Sequence, residues 1–194
     1  MPQGAGNALN PVLTVGEQVA EPMLIHLGLK KSAAFKKVAG LLEQMGISGA
    51  EKWLCAYPHQ YSGGMKQRAL VAMGVAAEAG LLLADEPTKG VDWENREEIL
   101  RLFQSLEEKT VLTVTHDLWF AENFARRVAV MYAAQILETA ETEAFFNRPL
   151  HPYARALLAA LPANGLRPLD GYAPAHAGFK ELGCRFYERW SSPV

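Results

Sequence analysis

Two stretches of this 194-residue chain carry groups that could act on a phosphate ester. The first is Tyr61-Ser62-Gly63-Gly64-Met65-Lys66-Gln67-Arg68. A Ser-Gly-Gly run at a helix start leaves backbone N–H groups bare, and the helix dipole adds partial positive charge, so an anion is welcome there. Ser62 adds a hydroxyl that can donate. The second is Leu81-Leu82-Leu83-Ala84-Asp85-Glu86-Pro87. An apolar run ending in Asp-Glu brings two carboxylates to the edge of a buried parallel sheet, where ligands bind. Neighbouring strand residues face opposite ways. One carboxylate can therefore hold magnesium through water while the other faces an attacking water. Asp-Glu-Pro alone usually marks an exposed turn, and Ser-Gly-Gly alone is as often a plain cap. Their order, one helix apart, points to nucleotide hydrolysis.

His116 closes the apolar run 111–115 on the same sheet edge. A histidine there can hydrogen-bond a terminal phosphate and the attacking water. A strand-end histidine is usually structural, and the company of Glu86 is what singles this one out. Gln3, in an opening stretch rich in Gly, Asn and Pro, could complete a magnesium shell. Lys66-Gln67-Arg68 is accounted for as a solvated helix face. A phosphate loop would read Gly, four residues, then Gly-Lys-Ser/Thr, and none of the 194 residues fits. His26, His59, His151 and His176 are scattered. Cys55 and Cys184 stand far apart, which argues for a reducing compartment rather than a disulfide framework.

These groups need a sheet and helices to hold them. Hydrophobic residues make up 49% and charged residues 21%, which describes a globular chain with room for a core. A net charge of -2 offers no electrostatic footprint for nucleic acid. No run approaches the ~20 apolar residues of a membrane span, and no signal peptide is visible. The pattern predicts helices over 15–27, over a segment capped by Ser32 and stopped by Gly46, over 63–79, over a segment capped by Asp92, and over 118–125 and 151–161. Strands are predicted at 81–84, 111–115 and 128–132, the last paired with 135–138 as a hairpin. Alternating helices and apolar strands imply an α/β fold with a parallel sheet. Met1 is expected to begin inside a structural unit, and the tail beyond Pro149 to be mostly irregular.

In this order the motifs resemble those of ATP-binding cassette (ABC) ATPases. Gln3 resembles the Q-loop glutamine, and residues 61–65 the signature motif, with Tyr61 for the usual Leu and Met65 for the usual Gln. Residues 81–86 resemble Walker B plus the catalytic glutamate. Lys89-Gly90-Val91-Asp92 falls where the D-loop stands, and His116 at the switch histidine. Asn10-Pro11-Val12-Leu13-Thr14-Val15-Gly16-Glu17-Gln18, Tyr57-Pro58-His59-Gln60 and Arg148-Pro149-Leu150-His151-Pro152-Tyr153 are similar to the dipeptide/oligopeptide/nickel importer branch. That branch often ends in Gly-Cys-x-Phe-x-x-Arg-Cys. Here Gly183 to Trp190 keeps the frame and puts Trp190 at the second cysteine.

The resemblance implies a partial cassette of the P-loop NTPase type over 1–147, with a parallel sheet and a helical signature subdomain, and a transporter-type extension over 148–194. It implies ATP and Mg2+ as cofactors. Glu86, His116 and Gln3 would be catalytic. Asp85 and Gln3 would serve magnesium. Ser62, Gly63, Gly64, Met65 and Asp92 would complete a nucleotide site on a second cassette. Partners would be that second ATPase subunit, a membrane permease and, indirectly, a periplasmic or extracellular solute-binding protein. The place would be the cytoplasmic face of the membrane, and the cargo peptides, nickel or similar solutes. The family carries its Walker A loop ahead of the Q-loop glutamine, where this sequence starts, so the resemblance covers roughly the C-terminal two-thirds of a subunit. An isolated chain is then expected to hydrolyse ATP negligibly and to expose a sheet edge. The alternative is an incompetent half-cassette that only completes a partner's site in trans. A soluble cassette of DNA repair or translation would call for a coiled coil or a basic surface, and neither is present.

Overall fold

The computed structural model describes residues 1, 8–106, 108–169, 171–173, 175, 178 and 182–190. Its contacts divide the chain into two compact units, Met1–Phe120 and Ala121–Val194.

The first unit opens with α1 (Val15–His26). Thr14 caps it through a reciprocal box: its hydroxyl accepts from the Glu17 N–H, and the Glu17 carboxylate accepts from the Thr14 N–H. The Val15 and Gly16 N–H groups donate to the Ala56 and Leu54 carbonyls at 2.9 and 3.1 Å. Only glycine fits at position 16, because a Cβ would lie 2.5 Å from the Leu54 oxygen. Next comes α2 (Lys31–Gln44), which buries Ala34, Val38 and Leu42 and stops at Gly46 with φ +78°. Its N-cap is Lys30, so Ser32 lies inside the helix and not at its cap. The short α3 (Ala50–Trp53) leads to α4 (Gly63–Val75). That helix buries Leu70, Val71 and Ala72. Gly74 lets it approach the following strand, since a Cβ there would meet the Leu82 side chain at 2.9 Å. The helix ends four residues before the expected Ala79, and Glu78 takes φ +56° in the turn that follows.

Strand β1 (Leu81–Asp85) pairs in parallel with β2 (Thr110–Val114), in the register Leu81↔Thr110 to Asp85↔Val114. Between them runs α5 (Trp93–Gln104), whose Ile99, Leu102 and Phe103 are buried. Phe103 meets Phe120 of α6 (Leu118–Phe124) edge to face at 5.6 Å. The sheet departs from expectation in one respect. Leu82 and Ala84 are buried, but Leu81, Leu83, Leu112 and Val114 are 51–64% exposed. One face of the strand pair is packed and the other is a bare apolar surface. The outer edge of β1 meets Met1, whose ammonium donates to the Leu83 carbonyl and whose carbonyl accepts from the Asp85 N–H.

In the second unit β3 (Arg127–Tyr132) and β4 (Gln135–Glu141) form the expected hairpin. They make a separate antiparallel sheet, so β3 does not join the parallel one. Ala133 and Ala134 both take positive φ, 48° and 60°, as a two-residue turn of primed type requires. Two helices follow, α7 (Thr142–Asn147) and α8 (Pro152–Ala159). The buried Glu138 carboxylate accepts from the Leu150 and His151 N–H groups. Gln135 holds the tail by donating to the Gly183 carbonyl and accepting from the Arg185 N–H. The tail places Phe186 against Tyr132 and Tyr153, with Cys184 Sγ 3.4 Å from His151 Nε2.

Candidate functional site

The parallel pair ends at Asp85 and Val114, and the site is built where the two chains leave the sheet. Asp85 is exposed as the last residue of β1. Glu86 then turns sharply, with φ +49°, and its N–H donates to the Val114 carbonyl at 2.8 Å. A left-handed non-glycine residue costs on the order of 1–3 kcal/mol and persists only where its surroundings fix it. This one is fixed by its side chain. The Glu86 carboxylate accepts from the Thr115 hydroxyl at 3.3 Å and the His116 N–H at 3.2 Å, and lies 2.8 Å from His116 Nδ1. Its side chain is 12% exposed and that of His116 is 77% exposed. Facing an acceptor, Nδ1 carries the proton of the neutral ring and Nε2 accepts on the outer side. In the imidazolium, Nε2 donates outward as well. Glu86 lies past the strand end, so the turn rather than pleat alternation places its carboxylate.

A layer of polar contacts supports this pair. Asp117 Oδ2 accepts from the Thr88 hydroxyl at 2.8 Å and from Arg96 Nε at 3.0 Å, and Arg96 reaches it with a second nitrogen. Asp117 Oδ1 accepts from the Phe120 N–H at 3.1 Å and so holds the start of α6. Burial pushes the Asp117 carboxyl up, but the hydrogen bonds from Arg96, Thr88 and Phe120 together outweigh it and hold it below its ordinary value. Gln67 is buried in α4, and its amide donates to the Pro87 carbonyl. Its other amide atom, Oε1, has no partner among the described residues.

At the start of α4, about one turn before Gln67, a cleft of about 190 Å3 is lined by Ser62, Gly63, Gly64, Arg68, Asp92 and Asn95, among others. Ser62 is the N-cap, and its hydroxyl oxygen accepts from the Met65 N–H at 3.2 Å. Met65 therefore spends its N–H inside the cap, while the Ser62 O–H remains available to donate. A Cβ at Gly63 would meet nothing within 4 Å, so the cleft is open above it. Arg68 reaches the Gly46 carbonyl and the Glu98 carboxylate, which ties the helix mouth to α5. Asp92 is exposed at the rim as the N-cap of α5, without a side-chain capping bond. Tyr61, just ahead, is buried and donates to the Trp53 carbonyl at 2.9 Å, and burial pushes its phenol up to about 12.

The structure thus brings Glu86 and His116 into contact and groups Ser62, Gly63, Gly64, Met65 and Asp92 around one cleft. Asp85 lies beside Glu86 at the strand end. Gln3 and His176 fall outside the described residues. Thr88, Arg96, Asp117 and Gln67 are site residues that pattern reading misses. Asp117 alone left a signal, an Asp directly before an apolar helical run. The donor chemistry fits a magnesium–nucleotide pair. Magnesium keeps several waters and takes one or two carboxylates plus phosphate oxygens, so the lack of a three-ligand cluster among the described residues is no obstacle. The cleft presents a hydroxyl and a helix start to an anion.

A parallel strand ending in paired acids, a histidine at the neighbouring strand end and a glycine-opened helix are all in one α/β unit, a set suited to a nucleotide and its phosphates. The comparisons agree. The ABC transporter family matches residues 1–89, and the oligopeptide/dipeptide transporter C-terminal region matches residues 137–191. The dipeptide transport ATP-binding protein DppD of Bacillus subtilis is 43% identical over 190 residues, covering 94% of this chain and 56% of the relative. The oligopeptide transport ATP-binding protein AppD of the same organism is 38% identical, covering 94% and 58%. Among solved structures, a post-hydrolysis dimer of the cassette MJ0796 bound to ADP and Pi aligns with a TM-score of 0.62 at 27% identity, over 73% of this chain and 61% of that one. The chain belongs to the ABC ATPases, in the dipeptide/oligopeptide importer branch. It spans somewhat over half the length of these curated relatives.

Proposed function

We propose that this chain is the water-activating and signature-bearing part of an ATP-hydrolysing subunit that drives import of peptides, nickel or similar small solutes. The observation that carries the reading is the 2.8 Å contact between Glu86 and His116 at the strand end, beside an exposed Asp85. Glu86 orients and deprotonates the attacking water. His116 steadies Glu86 through Nδ1 and offers Nε2 to the terminal phosphate. Asp85, with Gln3, holds magnesium through water. When bound there, Mg2+ would neutralise the charge developing on the phosphoryl group that ATP supplies. Ser62, Gly63 and Gly64 offer donors to a nucleotide held by a second cassette, with Met65 closing the cap and Asp92 near the dimer axis. The segment up to Tyr57 passes closure on to a membrane permease, which is fed by an extracytoplasmic solute-binding protein. The chain works on the cytoplasmic face of the membrane. Residues 1–147 serve as cassette and 148–194 as transporter extension.

The 194 residues hold no phosphate loop, so hydrolysis needs one supplied by sequence beyond them. The test is steady-state ATP hydrolysis by the chain alone and mixed with a polypeptide carrying a Walker A loop from the same branch. Turnover is expected only in the mixture. Turnover of about 1 s⁻¹ or more by the chain alone, a rate ordinary for enzymes, contradicts the reading. A second reading is favoured by the open cleft and the bare apolar face of β1 and β2. In it the chain only completes a partner's site in trans, and the mixture then hydrolyses ATP equally well with Glu86→Gln.

A further inference from the structure

We propose that Arg96 is a positioning residue for the Glu86–His116 pair, acting through Asp117 and Thr88. The inference rests on the reading that Glu86 activates water. Two loops leave the sheet side by side, 86–88 and 115–117, and besides the Glu86–His116 contacts two hydroxyl groups join them in opposite senses. Thr115 of the second donates to Glu86 of the first at 3.3 Å, and Thr88 of the first donates to Asp117 of the second at 2.8 Å. The rungs fix the distance between the loops, and Glu86 meets His116 between them.

Asp117 is the hinge of this ladder. Its side chain is 6% exposed, and it accepts from Thr88, Arg96 and the Phe120 N–H while its own N–H donates to the Thr115 hydroxyl at 3.0 Å. A carboxylate buried to that degree needs a cation held in one geometry. Arg96 supplies it from α5 and is itself held. Its guanidinium carbon lies 5.2 Å from the Trp93 ring centre and 5.5 Å from that of Trp119, and the two rings are 5.6 Å apart. Trp93 is 64% exposed, an unfavourable place for a tryptophan unless its ring does something there. Covering a guanidinium is such a use, and a planar guanidinium stacks where an ammonium does not. The arrangement carries position from α5 to Asp117, from Asp117 to both loops, and so to the carboxylate–imidazole contact.

The test uses the whole chain with labelled histidine and reads the His116 imidazole resonances by NMR. In the unmodified background, Glu86→Gln should shift them, because Nδ1 touches Glu86. In Arg96→Lys, which keeps charge but loses the stack and the two-nitrogen contact, the same change should shift them less than half as far. Thr88→Val, nearly isosteric and leaving the Arg96–Asp117 pair intact, should do likewise and decides the matter if Arg96→Lys fails to fold. An undiminished response in Thr88→Val, or no response to Glu86→Gln at all, overturns the proposal. In the mixture with the Walker A polypeptide, Thr88→Val should lower kcat about 10- to 100-fold, as misplacement of reacting groups does, with the KM for ATP within about twofold. A raised KM at unchanged kcat contradicts positioning. If Glu86→Gln leaves kcat unaltered, the reading of Glu86 fails, while the NMR response still judges the ladder.

Discussion

Two neighbouring regions of the first unit are built on opposite principles. Around Glu86 and His116 the side chains of Thr88, Arg96, Thr115 and Asp117 are tied to one another or to Glu86, the Glu86 and Asp117 carboxylates are largely buried and a left-handed backbone is locked in place. At the Ser62–Gly64 end the helix mouth opens into a cleft, its glycines are unobstructed and Asp92 makes no capping bond. The first region is organised before any ligand arrives. The second, on the proposed reading, is completed from outside. A site that must hold a water at fixed geometry benefits from a rigid surround, whereas one that closes on a neighbour's phosphate needs open donors. The bare apolar face of β1 and β2 belongs with the second region, being another surface left for something else to cover.

The contrast can be broken most forcefully at Arg96. Replacing it by Met leaves Asp117 buried and unpaired, and removing one partner of such a pair costs about 3–5 kcal/mol. Urea unfolding should show a loss of that size, and a loss below 1 kcal/mol would mean the organised region does not depend on its ion pair. Asp117 also sets an acid limit. Its carboxyl is held below the ordinary 3.8, so the stability it contributes is present above that value and fades as pH falls through its lower folded value.

Next in size is an alkaline limit at the cleft. The Tyr61 phenol is raised from 10.0 to about 12 by burial. A raised value means the stability is complete below pH 10 and is lost as pH climbs toward about 12, a contribution on the order of 2 kcal/mol. Unfolding followed across that window should separate the native chain from Tyr61→Phe. Curves that fall in parallel would show that Tyr61 is not the responsible group.

Much of this was readable from residue order, and the reasons differ by residue. Glu86 and His116 each end an apolar run, and parallel strands bring such ends together whatever the details. Ser62-Gly63-Gly64 announces its own helix start. The ladder was not readable, because Thr88, Arg96 and Asp117 meet across loops and one helix with no period to reveal them. The turn at Glu86 was hidden because positive φ is normally signalled by glycine or asparagine. The exposed face of β1 and β2 was misread for a simple reason: Leu81-Leu82-Leu83-Ala84 has the all-apolar texture of a strand covered on both sides, and here one side is bare.

Two smaller predictions sharpen the comparison at the cleft. Ser62→Ala removes the cap on the Met65 N–H and should lower stability by about 1 kcal/mol, read by thermal unfolding. Gly63→Ala should change stability least, by about 0.4–1 kcal/mol in the favourable direction, since its Cβ meets only open space. The same substitution should weaken activity in the mixture, because the methyl stands in the cleft. Opposite signs for stability and activity mark a surface kept open for a ligand, and a loss of both would show that Gly63 serves the fold.

The most direct measurement is single-turnover ATP hydrolysis by the mixture of this chain with a Walker A polypeptide, comparing Glu86 with Glu86→Gln at matched ATP occupancy. A general base contributes about 100- to 10,000-fold, so the rate should fall by that factor while ATP binding stays within about twofold. An unchanged rate would remove Glu86 from the chemistry and leave this chain only the signature face.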